Sequence, residues 1–199
     1  MKLGDYKLIF VAVGLIGILL IASPVLADLI HAPAGEQFSE LYLLGPGHMA
    51  QNYPFNIAVG QNYSVYVGIT NHLGSSAYYV LYMKLNNQTD LLPNATTGTP
   101  SSVVPLFESR FAIQDGQSWE RSVNFSVTNA TFSQNQSIVN TLTINNAVFE
   151  VNKPAAWDTN STEFNYQLLF ELWIYNKQTG FVEFNNRFVN LQLNLTRTP

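Results

Sequence analysis

The sequence predicts an all-β domain, a sandwich of two packed antiparallel sheets, behind one N-terminal membrane helix. Three observations predict this architecture. An uncharged run of twenty residues lies near the start, short strand-like runs with turn signals between them fill the rest, and helical periodicity is absent after the first run. Without strand–helix alternation, two packed antiparallel sheets are expected. The segment FAIQDGQSWERSVNFSV, a strand, an Asp-Gly turn and an alternating strand, favours an immunoglobulin-like sandwich.

The N-terminal run extends from Leu8 to Ala27 and contains no charged residue. A helix of twenty residues is about 30 Å long, which matches the hydrocarbon thickness of a bilayer. Lys2 and Lys7 precede the run and Asp28 follows it, so the positive-inside rule places residues 1–7 in the cytoplasm. The run is therefore predicted to be a single-pass anchor in the cell membrane, with the rest of the chain outside the cell.

A cleaved signal peptide is the alternative for the same segment. Its apolar part would end at Ala22, followed by the helix-disturbing Ser23-Pro24 and a small-residue cleavage site at Ala27. Both interpretations export the same domain, and the uncleaved anchor is favoured. Residues 28–37 are predicted to be a linker, and residues 38–199 the β-sandwich ectodomain.

The strands are predicted from runs of β-branched and aromatic residues bounded by Gly, Pro, Asn and Ser. The predicted strands are Phe38–Leu44, Phe55–Val59, Asn62–Asn71, Ala77–Asn86, Val104–Ile113, Glu120–Thr128, Thr141–Val151, Phe164–Asn176 and Phe181–Leu195. The last two are joined by Lys177–Gly180, which reads as a four-residue hairpin loop with Gly in the left-handed conformation. That loop predicts the facing pairs Asn176 with Phe181, Trp173 with Phe184, and Phe170 with Arg187.

The chain carries unusually few charges. Charged residues make up 11% of it, against about 25% in an average soluble domain. None occurs from Leu41 to Met83 or from Ser122 to Phe149. The net charge of −4, without a basic cluster, argues against nucleic-acid binding. Cysteine is absent, which excludes disulfides and thiolate metal ligands.

Glycosylation sequons, Asn-x-Ser/Thr, are in excess. With 21 Asn and 28 Ser or Thr among 199 residues, composition alone gives about three sequons, and eight are present. The predicted N-glycosylation sites are Asn62, Asn87, Asn94, Asn124, Asn129, Asn135, Asn160 and Asn194. Covalent glycans would supply the solvation that the missing charges do not. An accidental excess in an Asn- and Thr-rich chain is the alternative.

The positions of the sequons agree with surface exposure. In SVNFSVT the apolar residues alternate with polar ones, so Asn124 is predicted to point away from the core. The same alternation places Asn62 and Asn194 on the polar faces of their strands, and the other five fall in loop-like stretches. A low charge also suits an acidic exterior, because few ionised pairs are lost on acidification.

Few residues offer chemistry. His31, His48 and His72 lack metal-ligand spacing and carboxylates clustered around them, so they are predicted to be surface or loop residues. Glu171, in an apolar strand, is expected to face solvent rather than to be a buried catalytic carboxylate. Tyr78, Tyr79 and Tyr82 would suit an aromatic sugar-binding platform, although packing explains them as well. No catalytic, cofactor or metal site is predicted.

Three stretches, EQFSELYLLGPGHMAQNYPFNIAVGQNYSVYVGITNH, SWERSVNF and YQLLFELWIYN…RFVNLQLNLT, carry a family resemblance. Residues Glu36 to Thr196 resemble the archaeal domain-of-unknown-function 1616 family. The resemblance implies an archaeal origin and an extracytoplasmic sandwich, and it supplies no catalytic residues. Family members commonly carry several membrane helices before this domain, whereas this chain has one predicted span.

The expected function is that of a non-catalytic, membrane-anchored, heavily N-glycosylated archaeal cell-surface protein. It would act as an interaction or structural module, or as an accessory subunit of a membrane or envelope complex, with protein partners. A subunit of an extracellular filament assembled by strand exchange is one alternative. A glycan-binding or hydrolytic domain is the other.

Overall fold

The structure is a computed structural model that describes residue 7, residues 11–18 and residues 36–197. The chain divides into two compact units, Met1–Gln37 and Phe38–Pro199. In the first, residues 11–18 are helical. Among the described residues, no helix has both the length and the apolar content required to cross a bilayer. Most of the anchor predicted at 8–27, and nearly all of the predicted tip and linker, lie outside the described residues.

The second unit consists of strands, which confirms the predicted all-β class. Its strands are β1 (Phe38–Leu44), β2 (Asn56–Ala58), β3 (Tyr63–His72), β4 (Ala77–Asn87), β5 (Phe107–Ile113), β6 (Ser118–Phe132), β7 (Gln136–Ile144), β8 (Ala147–Asp158), β9 (Glu163–Tyr175) and β10 (Val182–Thr196). Seven of the nine predicted strands have both ends within about three residues of the observed ones. The predicted strand Glu120–Thr128 is shorter than β6, and the predicted strand Thr141–Val151 covers parts of both β7 and β8.

The ten strands form one curled sheet with two layers. The first layer has the order β1-β3-β6-β7-β8, and the second has the order β5-β4-β9-β10-β2. The layers are joined at one corner, where Trp157 of β8 pairs with Phe164 of β9 and Asp158 pairs with Glu163. A sheet that turns a corner in this way places both layers around one core, as in a β-sandwich.

The core is built from alternate residues of both layers. In β3, Val65, Val67 and Ile69 are completely buried, because period-two alternation points them to one face. In β9, Leu168 and Phe170 do the same from the opposite layer. Twenty-four buried apolar residues from nine of the ten strands, β2 to β10, form this single cluster. Burying a large apolar side chain contributes roughly 1.5–3 kcal/mol, so this cluster provides most of the driving force for folding.

Hydrogen bonds and rings connect the layers through the core. Tyr79 of β4 shares a hydrogen bond of 2.7 Å with Ser39 of β1. Phe111 of β5 stacks on Trp119 of β6, with ring centroids 3.9 Å apart and planes 6° from parallel. The Arg187 side chain of β10 donates from Nε to the Ser39 carbonyl. These contacts fix the position of β1 beside β10.

The predicted strand Thr141–Val151 is wrong, because the chain reverses inside it. β7 ends at Ile144 and β8 begins at Ala147, and these two residues face each other across a two-residue turn. The turn residues Asn145 and Asn146 have positive φ values of 48° and 68°. Positive φ at both central residues is the type I′ geometry, which asparagine tolerates better than other side chains. The Asn-Asn turn lacks the glycine that marks most such hairpins, so the sequence carries no clear turn signal at this position.

The C-terminal hairpin is confirmed, with one correction to its register. Asn176 donates its N–H to the Phe181 carbonyl, Gly180 has a φ of 76°, and Trp173 faces Phe184 as predicted. The register then shifts, because a bulge after Phe184 inserts two residues into β10. Phe170 consequently faces Val189, and Arg187 faces Leu172.

The sheets are also not purely antiparallel. β2 runs parallel to the end of β10, with Ile57 facing Leu195. Ile57 is 1% exposed, so this short edge strand is held by its apolar side chain in the core. The sequence showed only a strand-like run here, and strand direction is not encoded in period-two alternation.

Candidate functional site

Six of the eight sequon asparagines have exposed side chains. They are Asn62 before β3, Asn94 between β4 and β5, Asn124 and Asn129 on β6, Asn135 between β6 and β7, and Asn160 between β8 and β9. Asn124 points away from the core because its neighbours Val123 and Phe125 point into it. These six positions can carry a glycan without displacing a packed group.

Asn87 is buried, and its predicted surface position is wrong. It is 8% exposed, and its Nδ2 donates to the Pro154 carbonyl at 2.7 Å. Its Oδ1 accepts the N–H groups of Thr89 at 2.9 Å and Asp90 at 3.1 Å. The Asn-x-Thr pattern at this position forms a turn at the end of β4. Asn and Thr are common in turns because their side chains hydrogen-bond to nearby backbone groups.

Asn194 is half-buried and its amide is occupied. Its Nδ2 donates to Asn56 Oδ1 at 2.9 Å, and its Oδ1 accepts the Phe164 N–H at 3.2 Å. The side chain therefore ties β2, β9 and β10 together. A glycan on Nδ2 would replace the hydrogen bond to Asn56. The alternation of apolar and polar residues in the sequence does not reveal this hydrogen bond.

Part of the outer surface of the first layer carries no charged side chain, and we name this part the uncharged face. It consists of Ser64 on β3, Ser122, Asn124 and Thr128 on β6, and Thr143 on β7, around Ser126, which is only 3% exposed. Ser64 faces Asn124, and Ser126 faces Thr143. Short hydroxyl and amide side chains cover this surface where a soluble domain would normally place Lys and Glu.

The outer surface of the second layer holds a buried ion pair. Lys84 of β4 and Glu171 of β9 lie 2.7 Å apart from Nζ to Oε2, with side chains 3% and 0% exposed. The Lys84 ammonium also donates to the Ser101 carbonyl at 2.8 Å. Glu171 accepts the Ser101 N–H at 2.8 Å and the Trp173 Nε1–H at 3.2 Å. The expectation that Glu171 faces solvent is wrong, because the connection between β4 and β5 covers it.

This ion pair positions a segment of chain. A buried charge is tolerated only when it is paired and hydrogen-bonded, and both ends of this pair meet that condition. Ser101 contacts both charges, so the pair fixes the β4–β5 connection against the sheet. The same connection carries the exposed sequon at Asn94.

Two histidines each pair with one carboxylate on the outer surface of β1, β3 and β6, and the predicted surface position is confirmed for both. His48 Nδ1 lies 2.8 Å from Glu120 Oε1, and His72 Nε2 lies 3.7 Å from Glu40 Oε1. The His48 ring lies on Tyr66, with centroids 3.6 Å apart. In the described part of the chain, no group of three or more residues could hold a metal ion. His31 lies outside the described residues.

Tyr42 lies between these two pairs. Its ring covers Gly68, where an added Cβ would come within 2.1 Å of it. Burial raises the pKa of Tyr42, and the charge of Glu120, a hydrogen bond to it and the charge of Glu40 add to this effect. The phenol therefore stays protonated and serves as a hydrogen-bond donor to Glu120 at 3.4 Å.

The three tyrosines of β4 do not form one platform. Tyr79 is fully buried and donates to Asn71 Oδ1 at 3.2 Å, whereas Tyr78 and Tyr82 lie on the opposite face of the strand. Tyr82 meets Trp173 edge-on, with centroids 5.5 Å apart. The three residues therefore cannot form the sugar-binding platform that was the less favoured alternative, and the packing expected for them is confirmed for Tyr79.

Two of the open clefts in the described part of the chain are lined mainly by apolar surface. The first, which we name the mouth cleft, measures about 460 Å³ and lies where the layers meet at one end of the core; its lining includes Gln134, Trp157, Phe164, Leu195 and Arg197. The second, the edge groove, measures about 530 Å³ and lies between β1 and β10, beside the segment 53–55. Both volumes are within the range of ligand sites.

The described residues define an all-β sandwich domain with an amide- and hydroxyl-rich surface. A family profile described as "Domain of unknown function (DUF1616)" matches residues 32–147. This match spans more than half of the 199 residues, so the chain belongs to that family, as the sequence predicts. The match ends at the start of β8, short of the predicted limit at Thr196. No curated protein matches the chain.

Several solved structures resemble the fold at low identity. The β-glucosidase of Listeria innocua, solved with isofagomine, is 10% identical with a TM-score of 0.39, over 81% of this chain and 16% of that chain. The CARDB domain of a Pyrococcus furiosus protein, solved with di-metal ions, is 11% identical with a TM-score of 0.41, over 82% and 98%. The sporulation control protein Spo0M of Bacillus subtilis is 10% identical with a TM-score of 0.39, over 82% and 51%. Likenesses of this size carry no functional argument.

Proposed function

We propose that this chain is a non-catalytic, N-glycosylated cell-surface protein of an archaeon that acts by binding a protein partner. Residues 8–27 anchor it with the N-terminus in the cytoplasm, and the sandwich, immunoglobulin-like in type, is the extracellular part. It serves as an interaction module or accessory subunit of a membrane or envelope complex. The observation that carries the proposal is the excess of sequons, eight against about three by composition, with six of them exposed.

The distribution of charge supports this role. The uncharged face bears the sequon Asn124, and Asn129 follows it on the same strand. Hydrophilic glycans at these positions would keep a surface without Lys or Glu in solution. Glycans would also direct a partner toward the end of the first layer that carries Tyr42, His48 and Glu120, away from Asn124.

Two experiments test the anchor and the partner. Protease added to intact cells should digest the chain after Asp28 and spare the first residues, and protection of the whole chain would contradict the proposed topology. Cross-linking in whole cells, followed by purification of the chain from membranes, should recover a defined envelope or membrane protein. Recovery of the chain alone at every cross-linker length would contradict the role of accessory subunit.

Assembly by strand exchange is the second candidate, and the edge groove favours it. Among the described strands, β1 pairs only with β3, and β10 has a partner opposite β9 only at its last residues. The groove between these edges is lined by Leu43, Phe55, Phe188 and Leu191, which suits the alternate side chains of an added strand.

The filament candidate predicts concentration-dependent polymers of the purified ectodomain. Phe188→Asp should prevent them by placing a charge in the groove. Val148→Asp, at a position that is 66% exposed on β8, is the control and should leave them unchanged. Monomers at every concentration by sedimentation would exclude this candidate.

A further inference from the structure

The sequon at Asn135 lies directly opposite an exposed tryptophan. Gln136 of β7 faces Ala156 of β8, and the pairing continues by one residue, because the Trp157 N–H donates to the Asn135 carbonyl at 2.8 Å. Side chains that face each other across antiparallel strands lie on the same side with Cβ atoms about 4.5–5.5 Å apart. The Asn135 and Trp157 side chains are therefore neighbours.

The Trp157 side chain lies on the core side of the sheet, at its open end, and the exposed Asn135 lies beside it. Two residues before Trp157 on the same strand, Ala155 is 2% exposed, and period two repeats that orientation at Trp157. Trp157 packs edge-on against the buried Phe164, with centroids 4.8 Å apart, yet 37% of it stays exposed. An indole that is anchored on one side and open on the other forms a wall of the mouth cleft.

The mouth cleft has the chemistry of a sugar site. A pyranose ring presents an apolar face of C–H groups, which packs on aromatic rings, and a rim of hydroxyls that need hydrogen-bond partners. Trp157 offers the aromatic surface, and Gln134, Thr196 and Arg197 offer amide, hydroxyl and guanidinium groups at the rim. Arg197 is held in place by the Phe132 ring, 5.7 Å from its centroid, and by the Ser133 carbonyl.

We propose that the glycan attached to Asn135 folds back onto Trp157 and covers the mouth cleft. The inference rests on the proposed N-glycosylation and assigns its structural role at this sequon. Covering the cleft shields the end of the core, because the buried residues Phe164 and Leu195 form part of the cleft lining.

The geometry also indicates that the sugar is attached to Asn135 before this part of the chain folds. The hydroxyl of this sequon belongs to Ser137, which is fully buried and shares a hydrogen bond of 2.9 Å with Tyr166. An acceptor sequon requires that hydroxyl residue, so sugar transfer to Asn135 precedes the packing of β7 against β9.

The test is hydroxyl-radical footprinting of the full chain purified from its own cells, with glycopeptide mapping of the same samples. Wild type is compared with Asn135→Gln and with the control Asn62→Gln, which removes an exposed sequon on another surface. We expect oxidation of Trp157 to rise several-fold in Asn135→Gln and to stay unchanged in Asn62→Gln. Trp119, stacked on Phe111, is the internal reference and should not change.

Thermal unfolding gives a second readout. Loss of the glycan should lower the Tm by about 2–4 °C when Trp157 is present and by less in a Trp157→Ala background, because a purely structural tryptophan would not couple to the glycan. An occupied Asn135 with unchanged Trp157 oxidation overturns the inference. An empty Asn135 beside occupied sequons elsewhere overturns it but retains the proposed function, whereas eight empty sequons overturn both.

Discussion

Lys84 and Glu171, 87 residues apart in the chain, form an ion pair of 2.7 Å that solvent does not reach. Ser101 hydrogen-bonds to both residues: its carbonyl accepts from the Lys84 ammonium, and its N–H donates to the Glu171 carboxylate. Because each charge needs the other, the pair couples two neighbouring strands to the connection that covers them. The free energy of unfolding should therefore depend on the two residues jointly.

Glu171→Gln should lower the free energy of unfolding by about 3–5 kcal/mol, because it leaves the Lys84 ammonium buried without a counter-charge. Lys84→Met should lower the free energy of unfolding by a similar amount, because it leaves the Glu171 carboxylate buried without a counter-charge. In the double variant the amide of Gln still accepts the Ser101 N–H, so about 1–3 kcal/mol should be recovered. Chemical denaturation of the four proteins measures this coupling.

The matched control is the exposed pair of Glu108 and Arg110, which has the similar distance of 2.8 Å. Glu108→Gln should change stability by less than about 1 kcal/mol, since water screens the pair. Additive losses in the Lys84 and Glu171 variants would show that the two charges act independently.

Trp173 tests the C-terminal hairpin. It faces Phe184 with ring centroids 5.9 Å apart and donates to Glu171, but it lies half-buried on the outer surface. Trp173→Ala should cost roughly 2–3 kcal/mol, below the 3–5 kcal/mol of a tryptophan in the core. The exposed control Gln192→Ala should cost little. Equal effects of the two substitutions in urea unfolding would be incompatible with the observed packing.

The turn between β7 and β8 predicts a stabilising substitution. Asn146 has a φ of 68°, which glycine adopts without steric cost. Asn146→Gly should therefore raise the free energy of unfolding by about 0.5–1 kcal/mol, and Asn146→Ala should lower it. Asn145 should be kept, because its Oδ1 accepts the Asn124 N–H at 2.9 Å. Thermal melts of the two variants should move in opposite directions.

The carboxylate of Glu183 should contribute to the loss of folding stability at acid pH. The Thr179 hydroxyl at 2.6 Å and the Asn176 amide at 2.9 Å donate to its carboxylate and lower its pKa below the ordinary 4.5. A lowered folded-state pKa gives stability that is present above 4.5 and is lost as the pH falls through the folded value. Glu183→Gln should therefore lose less stability than wild type between about pH 6 and pH 3. Identical pH profiles would exclude this contribution.

Much of the fold was predictable from the sequence, because apolar and polar residues alternate along a strand that has one buried face. Phe38–Leu44 was predicted with the observed bounds, and Trp173 was correctly placed opposite Phe184. Periodicity and glycine-marked turns are local signals, and a two-layer sheet expresses them directly. The sequons were likewise readable, since the motif is contiguous in the chain.

The remaining features depend on contacts between distant segments. Nothing near Glu171 in the sequence indicates that Lys84 pairs with it or that the β4–β5 connection covers both. The bulge after Phe184 and the Asn145-Asn146 turn use asparagine where glycine is the usual signal. Burial of Asn87 comes from hydrogen bonds to a strand that follows it by more than sixty residues.

Asn87 should therefore behave as a structural residue. Asn87→Ala removes the partners of the Thr89 and Asp90 N–H groups and of the Pro154 carbonyl, and should cost about 2–3 kcal/mol. Asn62→Ala is the matched control, since Asn62 is exposed, and should change stability by less than about 0.5 kcal/mol. The same small loss at both positions in chemical denaturation would contradict the assigned role of Asn87.

Site-by-site glycopeptide mass spectrometry of the protein from its own membranes tests most directly whether the chain is an N-glycosylated surface protein. Glycans should be found at most of the six exposed sequons and at neither Asn87 nor Asn194, whose amides are engaged in the fold. The intact mass should then exceed the 22.2 kDa of the polypeptide by several glycans. Unmodified asparagine at all eight sequons, with an intact mass equal to that of the bare chain, would contradict the proposed glycosylation.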